Sequence, residues 1–257
     1  RRRHHFATTG ARLFLETAVQ LESTGILYHR NPNLGDVSNE PCERAIMGDI
    51  VKTSDEDVAF EVKVDGSAPI ERIEIRDGHD LIETLRPFEV KDLGNRIRII
   101  CEGAEYRGRG RNVSWICSVE FKGAKIEKYE PINFWNIDKL PIQESENKIS
   151  WNCVTTGGYS ALDVWLDQVI DGSFYLKTNE VSRDFSLSEI GLEDTRIDCG
   201  GLFKGIRIFR LPEENSENEV RVKRRIPLRK VGDTRLYVCV TQEDGHQAWS
   251  SPIYLFH

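Results

Sequence analysis

The fold is decided by one alternating stretch in the first third of the chain, Ile70-Glu71-Arg72-Ile73-Glu74-Ile75-Arg76-Asp77-Gly78-His79-Asp80-Leu81-Ile82-Glu83-Thr84-Leu85. Apolar and charged side chains alternate before Asp77-Gly78, which is typical of a strand with one buried face, and the apolar pattern resumes after it. An Asp-Gly pair readily adopts the positive φ angles of a tight turn. We therefore predict an antiparallel hairpin with its tip at Asp77-Gly78.

The same pattern recurs on both sides of this hairpin. Val58–Val64 alternates before Asp65-Gly66, and a second hairpin is predicted around Asp244-Gly245. Because a proline cannot donate to a strand ladder, Pro252 predicts an edge or a bulge. Further strands are predicted at Arg96–Cys101, Val113–Phe121, Ala124–Tyr129, Lys148–Val154, Ala161–Leu166, Ser173–Lys177 and Gly205–Leu211. Since no long amphipathic helix is evident, the sequence predicts an all-β protein built from sandwiches.

Length and composition narrow the class of protein. A chain of 257 residues can hold two domains, and we predict two β-sandwich units, with the polar run Pro212–Glu219 as a loop or linker. The net charge of -7 disfavours a nucleic-acid partner, which requires a concentrated positive surface. No apolar run approaches the roughly 18 residues that would predict a membrane-spanning helix. The compartment is left open by these observations.

The motifs of common catalytic and metal sites are absent from the sequence. There is no Gly-x-Ser-x-Gly elbow, no His-Glu-x-x-His helix, no dinucleotide fingerprint and no Cys-x-x-Cys pair among the six cysteines. His4 and His5 are adjacent and would point to opposite faces of a strand. Asp163, Asp167 and Asp171 fit a strand and a turn better than a helical acidic face. We predict no catalytic residue, no metal ligand and no cofactor in this chain.

The two predicted hairpin tips place an acid beside an imidazole. Asp77-Gly78-His79 and Asp244-Gly245-His246 could serve as acid and base, but Asp and Gly are also the residues that a tight turn requires. The turn interpretation is favoured at both tips. Asp244 and His246 are kept as candidate ligand-binding residues.

A glycine-spaced basic loop is the most distinctive motif. Arg107, Arg109 and Arg111 could bind an anion through their guanidinium groups, although a salt-bridging role is favoured because the spacing of a phosphate loop is missing. Trp135, with Trp151 and Trp165 downstream, could form an aromatic platform for carbohydrate, although aromatic residues in sandwiches usually lie in the core. Arg107, Arg109, Arg111 and Trp135 are therefore further candidate ligand-binding residues.

Several segments together resemble a large bacterial family of unknown function that is similar to PHP-type (polymerase and histidinol phosphatase) metal-dependent hydrolases. The longest of them is the ending Val240–Tyr254. Shorter segments are Ala7–Arg12, Met47–Asp49, Ala68–Ile70 with Arg76–Gly78, Tyr106–Trp115 and Thr155–Gly157. The resemblance extends along the whole chain and departs from the family at Ile116-Cys117, where an Asp-Gly pair was expected and a continuous strand is now predicted.

The resemblance implies a particular organisation. Because the chain begins at Arg1 and its only methionine is Met47, we expect it to be the C-terminal β-rich region of a longer protein. Residues 1–16 are then the exit from an N-terminal PHP-like barrel, which would be the partner of this region and would hold any divalent metal. Residues 17–105 and 220–257 are expected to form a discontinuous immunoglobulin-like sandwich that contains both hairpins. Residues 106–219 are expected to form an inserted β-sandwich.

Three functional hypotheses follow from the sequence. The first is an accessory, non-catalytic region of a PHP-like phosphoesterase or hydrolase. The second is an independent β-sandwich module that binds carbohydrate or another anionic ligand. The third and least favoured is a hydrolase built wholly within the chain, which would need a pocket that joins His79 or His246 to unpaired carboxylates.

Overall fold

The chain is almost entirely β-structure. The computed structural model describes residues 3–257, except for the side chain of Ile137, and within that range it contains no α-helix. Four 3₁₀ turns lie at Pro32–Leu34, Val90–Asp92, Ile137–Lys139 and Leu187–Glu189. The strands are β1 (Phe6–Thr8), β2 (Phe14–Tyr28), β3 (Asn39–Ile46), β4 (Ile50–Lys52), β5 (Asp57–Asp65), β6 (Ile70–Asp77), β7 (Asp80–Leu85), β8 (Arg96–Ala104), β9 (Val113–Lys122), β10 (Ile126–Ile132), β11 (Ile142–Ser145), β12 (Lys148–Thr155), β13 (Tyr159–Leu166), β14 (Ser173–Thr178), β15 (Ser182–Ser186), β16 (Thr195–Asp198), β17 (Leu202–Leu211), β18 (Glu219–Pro227), β19 (Thr234–Gln242), β20 (Gln247–Ser250) and β21 (Ile253–Phe256).

The first compact unit is built from both ends of the sequence. It comprises Arg1–Pro87 and Ser216–His257, and its strands form one hydrogen-bonded path in the order β1-β20-β19-β21-β4-β2-β5-β18. β3 pairs with β2, and the β6–β7 hairpin is attached to β19. The strands around β19 and those around β2 contribute side chains to the same buried cluster, so the path folds into two layers around one core.

The two predicted hairpins lie in one sheet. β6 pairs with β7 across Asp77-Gly78, where Gly78 has a φ of 61°, and β6 also pairs with β19. The closing segment differs from a simple hairpin, because β20 pairs with Cys239–Thr241 and β21 with Thr234–Leu236. Pro252 lies between these two short strands and belongs to neither. The immunoglobulin-like character of this unit stays a prediction.

The second unit, Phe88–Asn215, is a sandwich of two five-stranded sheets. One sheet has the order β10-β13-β8-β17-β16 and the other has the order β11-β12-β9-β14-β15. Their inner faces meet in a buried cluster that includes Ile99 of β8 and the fully buried Trp115 of β9. β9 runs without interruption through Ile116-Cys117, as the departure from the family pattern predicted.

The unit boundaries differ from those expected from the sequence. The second unit begins near residue 88 and not at 106, because β8 hydrogen-bonds to β13 and β17 at the centre of a sheet of that unit. It ends at Asn215, before the predicted 219. Where they are described, residues 3–16 belong to the first unit, since β1 pairs with β20 and the start of β2 pairs with β5, and their role as the exit from a barrel stays a prediction. Arg1 and Arg2 lie outside the described residues.

Candidate ligand-binding cavity

Several loops of the second unit emerge at one end of its sandwich. β8 ends at Ala104 opposite Leu202, where β17 begins. β9 begins at Val113 opposite Thr155, where β12 ends. The loop 105–112 joins β8 to β9 across the two sheets and is closed at its base, where the Glu105 amide donates to the Arg111 carbonyl at 2.9 Å. Strand register therefore places the arginine loop beside the ends of β9 and β12.

A cavity of about 370 Å³ opens at this end because one edge strand is shorter than its neighbour. β11 pairs with β12 only between Ile142 and Ser145, whereas β12 continues to Thr155 beside β9. The chain before Ile142 leaves the sheet as the loop 133–141. This loop contributes Phe134, Trp135, Asn136 and Lys139 to the lining, and the strands contribute Ile116, Asn152 and Val154.

The loop holds Trp135 at the mouth of the cavity by fixing the backbone on both sides of it. Asn133 adopts a φ of 60°, its side-chain amide donates to the Tyr159 carbonyl at 3.2 Å, and its own carbonyl accepts from the Ser160 hydroxyl at 3.2 Å. On the other side, Asn136 Oδ1 accepts from the Asp138 amide at 2.9 Å. Trp135 is nonetheless 86% exposed, which is unusual for tryptophan.

The lining combines apolar faces with neutral polar groups. Asn133, Asn136 and Asn152 supply amides that both donate and accept hydrogen bonds, and Ser114 and Ser160 supply hydroxyls. Lys139 is the charged group among the described lining residues, and none of those residues is acidic. The cavity can therefore bind a hydroxyl-rich group through its neutral polar side chains. Lys139 can make one favourable contact with an anionic substituent of the ligand.

The thiol that lines the cavity is not a nucleophile. Cys153 reaches the lining, and Cys101 Sγ lies 3.7 Å from Cys117 Sγ in the core behind it. Hydrogen bonding between the thiols, together with burial, raises the pKa of Cys153 and of Cys101 well above the ordinary value for cysteine. Since the thiolate is the reactive form, these groups stay inert. All six cysteines are free.

The arginine loop does not form the salt bridges that its sequence favoured. Arg107, Arg109 and Arg111 are exposed, and the described residues give none of them a carboxylate partner. Gly108 and Gly110 have φ values of 114° and 75°, which arginine would adopt only with strain, so the turn itself imposes the alternating spacing.

The predicted aromatic platform is reduced to one member. Trp135 is exposed, but Trp151 is only 4% exposed and packs in the core. Trp165 is partly buried and lies close to two cations, with the Arg96 guanidinium 4.7 Å and the Lys128 ammonium 4.4 Å from the ring centroid. The three tryptophans therefore do not form one exposed platform for carbohydrate.

Asp244 and His246 belong to the first unit and stabilise a turn there. Asp244 Oδ1 accepts from the His246 amide at 3.0 Å, and His246 Nδ1 lies 3.1 Å from the Thr9 hydroxyl. At the other tip, Asp77 binds Arg229 and the Arg235 amide, while the His79 side chain is 87% exposed. These contacts support the turn interpretation of both tips.

The sequence identified only part of the cavity. It singled out Trp135, but not Asn136, Lys139 or Asn152, because their convergence depends on where β11 leaves β12. Within residues 3–257, as far as they are described, no group of three or more histidine, cysteine, aspartate or glutamate side chains is placed to hold a metal ion. No helix in that part of the chain is long and apolar enough to cross a membrane.

Comparison with known proteins gives no relative: no protein-family model, no curated protein and no solved structure matches this chain.

Proposed function

We propose that this chain is a non-catalytic binding region that holds a carbohydrate in the cavity beside Trp135. The observation that carries the proposal is Trp135, a residue that is 86% exposed and lines a cavity that also presents amides and hydroxyls. The C–H face of a sugar ring suits the negative face of an aromatic ring, and its hydroxyls suit groups that both donate and accept. The volume is within the range of small-molecule sites.

A hydrolytic role within the chain has less support. The carboxylates near the candidate histidines already have partners, since Asp80, which lies 3.1 Å from His79 Nε2, also binds Arg229, and Asp244 accepts from the His246 amide. Among the described lining residues of the cavity there is no carboxylate that could act as an acid or base. Binding without bond cleavage is therefore the chemistry that these side chains favour.

The sequence resemblance supports a wider role for this binding region. We propose that it is accessory to a PHP-like metal-dependent hydrolase domain of the same parent protein, for which it would hold or admit the substrate. The test compares metal content and hydrolysis of a phosphodiester and a phosphomonoester by the parent protein with and without this region. Full solubility and turnover without the region would contradict the accessory role.

The carbohydrate site is tested by Trp135→Ala. Binding is measured by calorimetry against a panel of neutral and acidic oligosaccharides. Loss of the stacking face should weaken binding by about tenfold or more. Ile170→Ala is the matched control, because Ile170 is also an exposed apolar residue of the second unit, at 78%, and does not line the cavity. Unchanged affinity after Trp135→Ala, or binding by no member of the panel, would contradict the proposal.

A further inference from the structure

We infer that the carbohydrate is anionic, with carboxylate or sulfate groups that reach from the Trp135 cavity to the arginine loop 105–112. This inference rests on the proposed function and narrows its ligand class. Three features of the second unit support it. The arginine loop leads directly into a strand that lines the cavity, its arginines have no carboxylate partner among the described residues, and the carboxylates at the base of the loop bind a lysine instead.

The arginine loop leads directly into β9, which lines the cavity. Arg111 lies three residues before Ser114, which lines the cavity together with Trp115 and Ile116. At about 3.3 Å of rise per strand residue, the two Cα atoms are roughly 10 Å apart or less. A ligand longer than one sugar ring can therefore leave the cavity along the start of β9 and meet the arginines directly.

The three arginines are distinguished by lying close together without a carboxylate partner among the described residues, since Arg183 and Arg210 of the same unit lack such a partner only as single residues. Arg96, Arg98 and Arg207 each bind a carboxylate. The loop instead holds three cations within five residues and, as far as the chain is described, gives them no anion. Like charges so close together repel one another, so an anionic ligand would relieve repulsion as well as form new contacts.

The carboxylates at the base of the loop are already engaged by another cation. Lys204 is 6% exposed, and its Nζ lies 2.9 Å from Glu105 and 3.1 Å from Glu180. This lysine pairs with both carboxylates and offsets one of their two negative charges, and neither carboxylate binds an arginine of the loop. The arrangement leaves the guanidinium groups of the loop directed to solvent, in a chain whose net charge is -7.

The loop is also shaped before any ligand binds. Its base is closed by the bond from the Glu105 amide to the Arg111 carbonyl. The Tyr106 hydroxyl lies only 2.8 Å from the position that a Cβ atom would occupy on Gly110, so glycine lets the loop close over this ring. A loop that is fixed in advance loses less conformational entropy when it binds, which favours affinity.

The test uses the full chain and oligosaccharides of equal length that are neutral, uronate-containing or sulfated. The acidic sugars should bind more tightly than the neutral one at low salt, and this advantage should fall with ionic strength. The combined variant Arg107→Gln, Arg109→Gln, Arg111→Gln should lose about tenfold in affinity for the acidic sugars and keep its affinity for the neutral sugar. The carboxylate and sulfate probes show which group is preferred.

The matched control removes the same charge from positions of the same unit that do not line the cavity. Lys122, Lys177 and Arg183 are exposed on β9, β14 and β15, and none of them lines the cavity. Their combined change to glutamine should leave the preference for acidic sugars intact. If acidic and neutral sugars bind equally while Trp135→Ala abolishes both, this inference is wrong and the proposed function stands. If no binding depends on Trp135, both are wrong.

Discussion

Asp163 is the residue on which a buried charge cluster of the second unit depends. Its side chain is 1% exposed and accepts from Arg96 Nε at 2.9 Å, from Arg98 Nε at 2.6 Å and from a terminal nitrogen of Arg98 at 2.8 Å. Arg98 is completely buried. Since an isolated buried charge is costly, the two cations require this carboxylate. The sequence prediction that Asp163 and Asp171 lie in a strand and a turn, and not on one face of a helix, is confirmed, because Asp163 lies in β13 and Asp171 lies in the connection before β14.

Asp163→Asn should destabilise the protein by about 3–5 kcal/mol, because it removes the carboxylate that two buried guanidinium groups bind. Urea unfolding measures the change. Asp171→Asn is the control: Asp171 is exposed, and its change should stay within about 0.5 kcal/mol. Equal effects of the two substitutions would contradict this account of the cluster.

The longest strand, β2, changes partner along its length. It pairs with β5 through Gln20 and with β4 from Ile26, so neither ladder covers the residues between them. Asp55, from the loop between β4 and β5, fills this gap by accepting from the Glu22 amide at 2.7 Å and from the Ser23 hydroxyl at 2.5 Å. Burial acts to raise the pKa of Asp55, but these hydrogen bonds outweigh it and hold the pKa below the ordinary value.

Asp55→Asn should lower stability at neutral pH by about 1 kcal/mol, a typical net value for such hydrogen bonds. Because the folded-state pKa is depressed, the contribution of Asp55 is complete above the unfolded-state pKa of about 3.9 and is lost as the pH falls through the folded-state value. At neutral pH the urea midpoints of variant and wild type should therefore differ clearly. At about pH 3 the difference between them should be smaller. The exposed Asp36→Asn should be neutral at both pH values; a gap for Asp55→Asn that widened in acid would contradict the sign.

Strands were predictable where a turn motif marked their end. The Asp-Gly pairs at 77–78 and 244–245 and the alternation in β8 and β9 gave those elements directly. β2 and β18 were not predicted, since β2 continues past a partner change without a turn signal and β18 is rich in exposed charge, with Arg224 and Arg225 bound to Glu83 and Glu22. Their stability comes from ladders to distant segments, and a single sequence does not encode those ladders locally.

At the scale of the whole molecule, the two units differ in the number of chain segments that build them. The second unit is one continuous segment with its own core, whereas the first joins segments that lie before and after it. The predicted boundary after residue 105 was wrong because the alternation of β8 resembles that of the preceding hairpin. Only pairing with β13 and β17 assigns β8 to the second unit.

A fragment of residues 88–215 should fold alone, because both of its sheets and the core between them are complete. It should show β-type circular dichroism and one cooperative thermal transition. A fragment of residues 106–219 is the control and should not fold, since it lacks the central strand β8. If the shorter fragment folded as well as the longer one, the boundary near residue 88 would be incorrect.

The two-segment construction of the first unit has a consequence for vectorial synthesis on the ribosome. β5 emerges early, but its edge partner β18 emerges only after all of Phe88–Asn215 has been translated, and β6 waits still longer for β19. At roughly 5–20 residues per second, the delay is on the order of 10 s, which is long compared with hairpin formation. The second unit is therefore finished first, and the nascent β5 and β6 depend on their charged positions, such as Glu61 and Lys63, to resist aggregation while their partners are still being made.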